Sequence, residues 1–205
     1  MNPSVDHLRA TFGNAIGRAL EVRGDTIAFV DPARSFEILK WLKETPGQGY
    51  DYLVDVTAVE YRDVERPLEV VYFLRSLQRH AELRVKVELP PDQPPAVESV
   101  VPLWQGANWL EREVYDMFGI TFRGHPDLRR ILMWETYAEG HPLRKDFPLR
   151  GRFSRAEQVR QALAANPEAH YSLEELSIAE ASSELPEDMK QRLRRGERGK
   201  VPYSE

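Results

Sequence analysis

AELRVKVEL, residues 81–89, alternates without a break: Leu83, Val85, Val87 and Leu89 share one side, Glu82, Arg84, Lys86 and Glu88 the other. Successive strand side chains point to opposite faces, so this stretch reads as a strand with one buried and one wet face, as in an antiparallel sheet. Working back, Leu68–Leu74 and Tyr52–Val59 are rich in β-branched and aromatic residues and predict two further strands. The connections around Arg62–Arg66 and Ser76–His80 are short enough for a meander. Thr26–Val30 predicts a short apolar strand. Asp31 then reads as an N-cap with Pro32 at the first helical position, opening a helix that buries Ile38, Trp41 and Leu42, flanked by Phe36 and Leu39. Thr45-Pro46-Gly47 stops it. At the front of the chain, Val5, Leu8, Phe12, Ala15, Ile16, Ala19 and Leu20 recur at helical spacing and predict one amphipathic helix ending before Gly24, weakened by Gly13 and Gly17. The expected fold class is α+β, with a mainly antiparallel sheet packed with helices.

Working forward, the Pro90-Pro91 and Pro94-Pro95 pairs bend the chain out of the sheet. Asn108 reads as the next N-cap, with Glu111 as its capping-box partner and Gly119 as the left-handed residue that ends the helix. Leu110, Val114 and Met117 line one side of that helix; Arg112, Glu113 and Asp116, with Trp109, line another. From Glu111 to Gly151 the chain reads EREVYDMFGITFRGHPDLRRILMWETYAEGHPLRKDFPLRG, dense in Arg, His, Pro and aromatic residues but with little periodicity after Gly119. A polar tail follows. Capping boxes at Ser154/Glu157 and Ser172/Glu175, separated by Asn166-Pro167, open short helices, and a third is expected from Pro186 to Arg195. The expected division is 1–110 for the α+β domain, 111–151 for the signature helix and extended interface segment, and 152–205 for the helical tail.

The 205 residues suffice for one solid domain plus an appendage, or two small ones. A net charge of −5 argues against bulk capture of nucleic acid. No window approaches the roughly 20 apolar residues of a membrane span. MNPSVDHLRATFG lacks an export signal's apolar core, so the expected compartment is the cytoplasm. With no cysteine, disulfides, thiol nucleophiles and thiolate-bound clusters are excluded. Walker A, G-x-G-x-x-G, G-x-S-x-G and H-E-x-x-H patterns are all missing.

Three constellations within 111–151 could carry chemistry. His125, Asp127 and His141, with Glu135, offer metal-ligating atoms, but both histidines precede proline and the spacing matches no helical ligand set. Local hydrogen bonding is the expected role of their imidazoles. Glu111, Glu113 and Asp116 could raise one another's pKa, but Arg112 lies at helical reach of Asp116 and favours an ion-paired face. The basic residues Arg123, Arg129, Arg130, Arg144, Lys145 and Arg150 are interleaved with Asp127, Glu135, Glu139 and Asp146, a mixture better suited to a protein interface than to RNA.

The stretch closely resembles the signature of the 30-kilodalton peripheral-arm subunit, the C subunit, of proton-translocating NADH:quinone oxidoreductase (respiratory complex I). The resemblance rests on Glu111-Arg112-Glu113, Asp116, Gly119-Ile120, Phe122, His125-Pro126, Leu128, Arg130-Ile131-Leu132, Gly140, Pro142, Arg144-Lys145-Asp146-Phe147-Pro148 and Gly151, and element order extends it to residues 1–151. It implies a cofactor-free structural subunit, with FMN, iron–sulfur clusters and quinone held by neighbours. Its partners would be the large D subunit, which forms the quinone pocket, and the cluster-bearing subunits, on the cytoplasmic side of the cell membrane. It also implies that Arg129, Arg130, Arg144, Lys145 and Asp146 form polar contacts across the interface, with Trp134, Phe147 and Pro148 as apolar anchors. The rest of the expected interface is Glu111, Arg112, Glu113, Asp116, His125 and Pro126. The rival readings are the homologous module of a membrane-bound nickel–iron hydrogenase, a stand-alone metal-dependent enzyme using His125, His141 and the acidic helix, and an RNA-binding module.

Overall fold

The computed structural model describes residues 2–61, 65, 68–149 and 151–165. The chain divides into two units, Met1–Ser154 and Arg155–Glu205. In the first, the elements run α1 (Ser4–Phe12), β1 (Ile16–Val22), β2 (Asp25–Val30), α2 (Ser35–Glu44), β3 (Tyr52–Glu60), β4 (Leu68–Ser76), β5 (Ala81–Leu89), β6 (Ala96–Glu98), α3 (Ala107–Phe118) and β7 (Thr121–Arg123). Five strands form one sheet in the order β1-β2-β5-β4-β3, every neighbour antiparallel except the β2–β5 pair.

Strand β5 matches its sequence reading residue for residue. Leu83, Val85, Val87 and Leu89 are buried opposite Leu74, Tyr72, Val70 and Leu68 of β4. Val5, Leu8 and Phe12 of α1 and Ile38, Leu39 and Leu42 of α2 join the same core cluster. Each such side chain contributes about 1.5–3 kcal/mol through apolar burial. Asp31 caps as expected: its carboxylate accepts from Ala33 N–H at 2.9 Å and starts a 3-10 turn, Pro32–Arg34, that leads into α2.

The N-terminal helix is half as long as the spacing predicts. It stops at Gly13, whose φ of 54° is open to glycine, and residues Ile16–Val22 pair with β2 as a strand. Arg23 and Gly24 have φ of 55° and 93°, the positive pair a two-residue hairpin turn demands. Pairing on the sheet therefore overrides the helical spacing of Ile16, Ala19 and Leu20.

Helix α3 crosses over between β6 and β7, which pair in parallel, and it packs on β3. It starts at Ala107 after Gly106 with no side-chain cap, so Asn108 and Glu111 form no capping box. Gly119 ends it in the left-handed region as expected, φ 75° and ψ 21°. Because α3 runs across residue 110, the sheet and the segment that follows share it. In the second unit α4 spans Arg155–Ala165, in register with the Ser154/Glu157 start signal. The tail helices expected around Ser172/Glu175 and 186–195 lie outside the described residues.

Candidate partner-binding ribbon

Residues 124–149 carry no further helix or strand, yet their path is fixed by one buried carboxylate. Asp116 Oδ2 accepts the backbone N–H groups of Ile131, Leu132 and Met133 at 3.0, 2.8 and 2.8 Å. Its Oδ1 accepts from Arg130 Nη1 at 2.5 Å, and Arg130 Nη2 donates to the Gly140 carbonyl at 3.0 Å. Burial pushes the Asp116 carboxyl upward, but the three N–H donors and the guanidinium outweigh it and hold the group below the ordinary aspartate value. Arg112, also buried, donates to the carbonyls of Arg129 and Arg130 at 3.1 and 3.0 Å. His141 Nδ1 donates to the Asp116 carbonyl at 3.0 Å while its ring lies against Gly119. A Cβ at Gly119 would stand 2.6 Å from that ring, so this position needs glycine both for its φ and for its room.

These contacts correct the expected ion-paired helix face. Arg112 is not the ion partner of Asp116; Arg130 is, and Arg112 clamps ribbon backbone instead. Hydrogen bonds to α3 hold the ribbon within the chain. Glu111 departs from that expectation too. It is fully buried, accepts from Ser99 Oγ at 2.7 Å and Val100 N–H at 2.6 Å, and has no cationic partner among its hydrogen bonds. Burial raises its carboxyl from 4.5 to about 7, against the opposing pull of those two bonds. The buried Tyr72 hydroxyl is pushed up by its own burial and by the Glu111 charge.

The remaining predicted residues divide by exposure. Glu113, Pro126, Arg129, Lys145, Asp146 and Pro148 are exposed, and His125, Trp134, Arg144 and Phe147 are half-buried. Arg129 pairs locally with Asp127 at 2.9 Å. Trp134 meets Tyr137 edge-on at 4.8 Å, and Arg130 lies over the Tyr137 ring. Among the described residues Arg144 makes long contacts: Phe118 carbonyl and Asp146 at 3.4 Å, Glu60 at 3.8 Å. Glu60 also receives the Lys145 N–H, and buried Glu139 receives those of Arg152 and Phe153. Sequence reasoning missed Glu60, because nothing local links β3 to a ribbon residue 85 positions later, and placed Glu139 only among the interleaved acids without its role on the backbone.

His125 and His141 address separate carbonyls, those of Asn108 and Asp116. Among the described residues, no group of three or more His, Cys, Asp or Glu side chains comes together to hold a metal. The arginines are matched by carboxylates: Arg123 with Glu98, Arg129 with Asp127, Arg130 with Asp116. Among their exposed charged residues, the ribbon and α3 also turn large apolar side chains outward. Trp109, Leu132 and Leu143 are 61%, 60% and 53% exposed, and Leu149 is fully so.

Comparison with known proteins agrees with this layout. The family described as respiratory-chain NADH dehydrogenase, 30 Kd subunit, matches residues 28–153, which hold most of the sheet and the whole ribbon. The NADH-quinone oxidoreductase C 2 subunit of Rhizobium meliloti (strain 1021) is 44% identical over 148 residues, 71% of this chain and 80% of that protein. The NADH-quinone oxidoreductase C subunit of Xanthobacter autotrophicus (strain ATCC BAA-1158 / Py2) is 40% identical over 151 residues, 74% and 71% of the two chains. Among solved structures, the trypsin-resistant fragment (1-134) of Nqo5 superposes with a TM-score of 0.53 at 30% identity, covering 61% of this chain and 96% of that one. A chain of the membrane-bound sulfane sulfur reductase, an archaeal respiratory membrane complex, shares the fold with a TM-score of 0.60 at 22% identity, covering 71% and 84%. The signature carried by Asp116, Arg130 and the ribbon they organise thus has its context: the chain belongs to the family of the 30-kilodalton subunit of respiratory-chain NADH dehydrogenase.

Proposed function

We propose that the chain is a cofactor-free structural subunit of the peripheral arm of NADH–quinone oxidoreductase, on the cytoplasmic side of the membrane. It packs on the large subunit that forms the quinone pocket, and on cluster-bearing neighbours. FMN, iron–sulfur clusters and quinone belong to those neighbours; this chain keeps the electron path from NADH to quinone in register and carries out no chemical step itself. The observation that carries the reading is a ribbon fixed from beneath by Asp116 while Leu132, Leu143 and Trp109 face outward. Large apolar side chains on an ordered, irregular segment are what a permanent protein interface uses, and such interfaces bury on the order of 2,000 Å² or more. Arg144, whose contacts among the described residues are long, keeps donors for a partner's carboxylate or carbonyls. Attachment to the membrane runs through other subunits in this reading; among the described residues no helix is long and apolar enough to cross a membrane.

Affinity purification of the chain from native membranes tests this reading. The quinone-pocket subunit and the cluster-bearing subunits are expected to co-purify, and recovery of the chain alone would overturn it. Arg144→Ala combined with Leu143→Asp is expected to strip the quinone-pocket subunit from the purified complex and to lower quinone reductase activity in proportion. Wild-type assembly and turnover in that variant would remove these residues from the interface.

A further inference from the structure

Behind the last turn of α3 lies a cavity of about 250 Å³, walled by Pro95, Phe118 and Phe147 and faced by Arg144, Arg152 and Asp146. Sites that hold drug-sized ligands or cofactors run to roughly 300–1,000 Å³, so this one has room for a single side chain and not for a flavin or a quinone. Its two guanidinium groups are not used up inside the chain. Arg144 reaches Asp146 and the Phe118 carbonyl at 3.4 Å and Glu60 at 3.8 Å, against about 2.7–2.9 Å for a formed guanidinium–carboxylate bond, and its Nη2 has no partner among the described residues. Arg152 gives its backbone N–H to Glu139, but its exposed guanidinium makes no hydrogen bond or ion pair among those residues. Asp146, the one carboxylate on the lining, is 71% exposed and turns to water. Capping α3 does not account for Arg144, because the carbonyls of Asp116 and Met117 already have His141 Nδ1 and the Leu143 N–H, both at 3.0 Å. The loop that carries the two cations is held by its own backbone, Phe147 N–H to the Arg144 carbonyl at 3.1 Å and Gly151 N–H to the Pro148 carbonyl at 2.9 Å.

We propose that this cavity receives the carboxylate of one acidic side chain, Asp or Glu, presented by the subunit seated on the ribbon. Its two oxygens bridge Arg144 and Arg152, and its methylene stem lies between the Phe118 and Phe147 rings. The inference rests on the interface reading above and names the partner group at one point of it. The guanidinium fork matches a carboxylate in shape as well as charge. An inorganic anion would fill the cationic end and leave the ring walls in water, whereas a side chain fills both. Leu143 and Phe153, the neighbours of the two arginines in sequence, are exposed, so a partner that covers them also seals the pocket from water and strengthens the charge pair inside it.

The test uses the intact complex. In the wild type, phenylglyoxal is expected to modify the exposed Arg23 and to spare Arg144 and Arg152; modification of Arg152 to the extent of Arg23 would show the cavity open and overturn the proposal. Arg144→Lys and Arg152→Lys, made separately, keep the charge and supply an amine, so the variant complexes are expected to remain recoverable. A carbodiimide activates a carboxyl group, the lysine Nζ displaces the urea, and an amide forms with net loss of water. Both positions are expected to join the same Asp or Glu of one neighbouring subunit; should one variant fail to assemble, the other decides, and should both fail, the wild-type labelling decides. Amides only to Asp146, Glu60 or other residues of this chain, amides scattered over several partner residues, or none at all would each overturn the proposal. Failure of the wild-type chain to co-purify with any partner would instead remove the interface reading beneath it.

Discussion

The outer face of the sheet and the underside of the ribbon are both built from arginine–carboxylate pairs, yet the pairs cannot have the same effect. On the sheet, Arg84 and Asp25 meet at 2.8 Å with both side chains 40% exposed. Beneath the ribbon, Arg130 and Asp116 meet at 2.5 Å with 14% and 0% exposed. Water screens the first pair and replaces either partner when it is lost. The second pair is sealed, and its carboxylate also holds three backbone N–H groups. The same residue chemistry therefore decorates one region and builds the other.

Asp116→Asn breaks this contrast most directly. An amide offers one oxygen where the carboxylate offers two, and its NH2 group faces donors. Arg130 is left buried without a counter-charge, at a cost of about 3–5 kcal/mol. The sheet does not need Asp116, so the loss is expected to concentrate in the ribbon. Limited trypsin digestion should open Arg129 and Arg130 in the variant while the strands stay intact; unchanged resistance at those two sites would show that other contacts set the ribbon's path. Acid should imitate the mutation. The Asp116 carboxyl is lowered in the fold, so its contribution is present above the unfolded aspartate value of about 4 and lost as pH falls through the folded value.

Glu111 sharpens the comparison with the opposite sign. Its carboxyl is raised from 4.5 to about 7, so its contribution is complete below the unfolded value and lost as pH rises through about 7. The difference corresponds to about 3 kcal/mol across that window. Glu111→Gln is neutral throughout. The wild-type chain is therefore expected to lose denaturation midpoint between pH 4.5 and 7 relative to the variant. Parallel pH profiles for the two proteins would mean that Glu111 ionises in the fold without penalty. One helix thus carries two buried carboxylates with opposite pH responses, because one has four donors, one of them a cation, while the other has two neutral donors.

The same distinction explains what could be read from the chain. Strand β5 was legible because a period of two with a fully apolar face admits one placement. Strand β1 was not, since Ile16, Ala19 and Leu20 satisfy a helical spacing equally well and the Arg23-Gly24 turn lacks the usual Asn-Gly signal. Gly13 held the clue. At the site, residue types were legible but pairings were not. Arg112 at helical reach suggested a partner for Asp116, whereas the partners are Arg130 and three peptide groups 15–17 residues on, fixed only once α3 and the ribbon lie together. Glu111 three residues after Asn108 has a capping-box spacing, but the tertiary pull of Ser99 and Val100 turns it inward.

The smallest expected effect lies on the sheet's outer face, and it is the control for the rest. Arg84→Ala, Asp25→Ala and the double variant form a cycle whose coupling is expected to be below about 1 kcal/mol and to shrink with added salt. Arg84→Ala alone should exceed that coupling, because the guanidinium also lies 5.2 Å from the Phe73 ring, a contact worth about 0.5–1 kcal/mol at an exposed site. Asp25→Ala removes no such contact and should leave stability almost unchanged. A coupling between Arg84 and Asp25 as large as that between Arg130 and Asp116 would mean that burial is not what separates the two regions. The ribbon would then owe its order to its geometry of backbone donors alone, which Asp116→Glu, by moving the carboxylate one methylene farther out while keeping its charge, would disrupt as fully as Asp116→Asn.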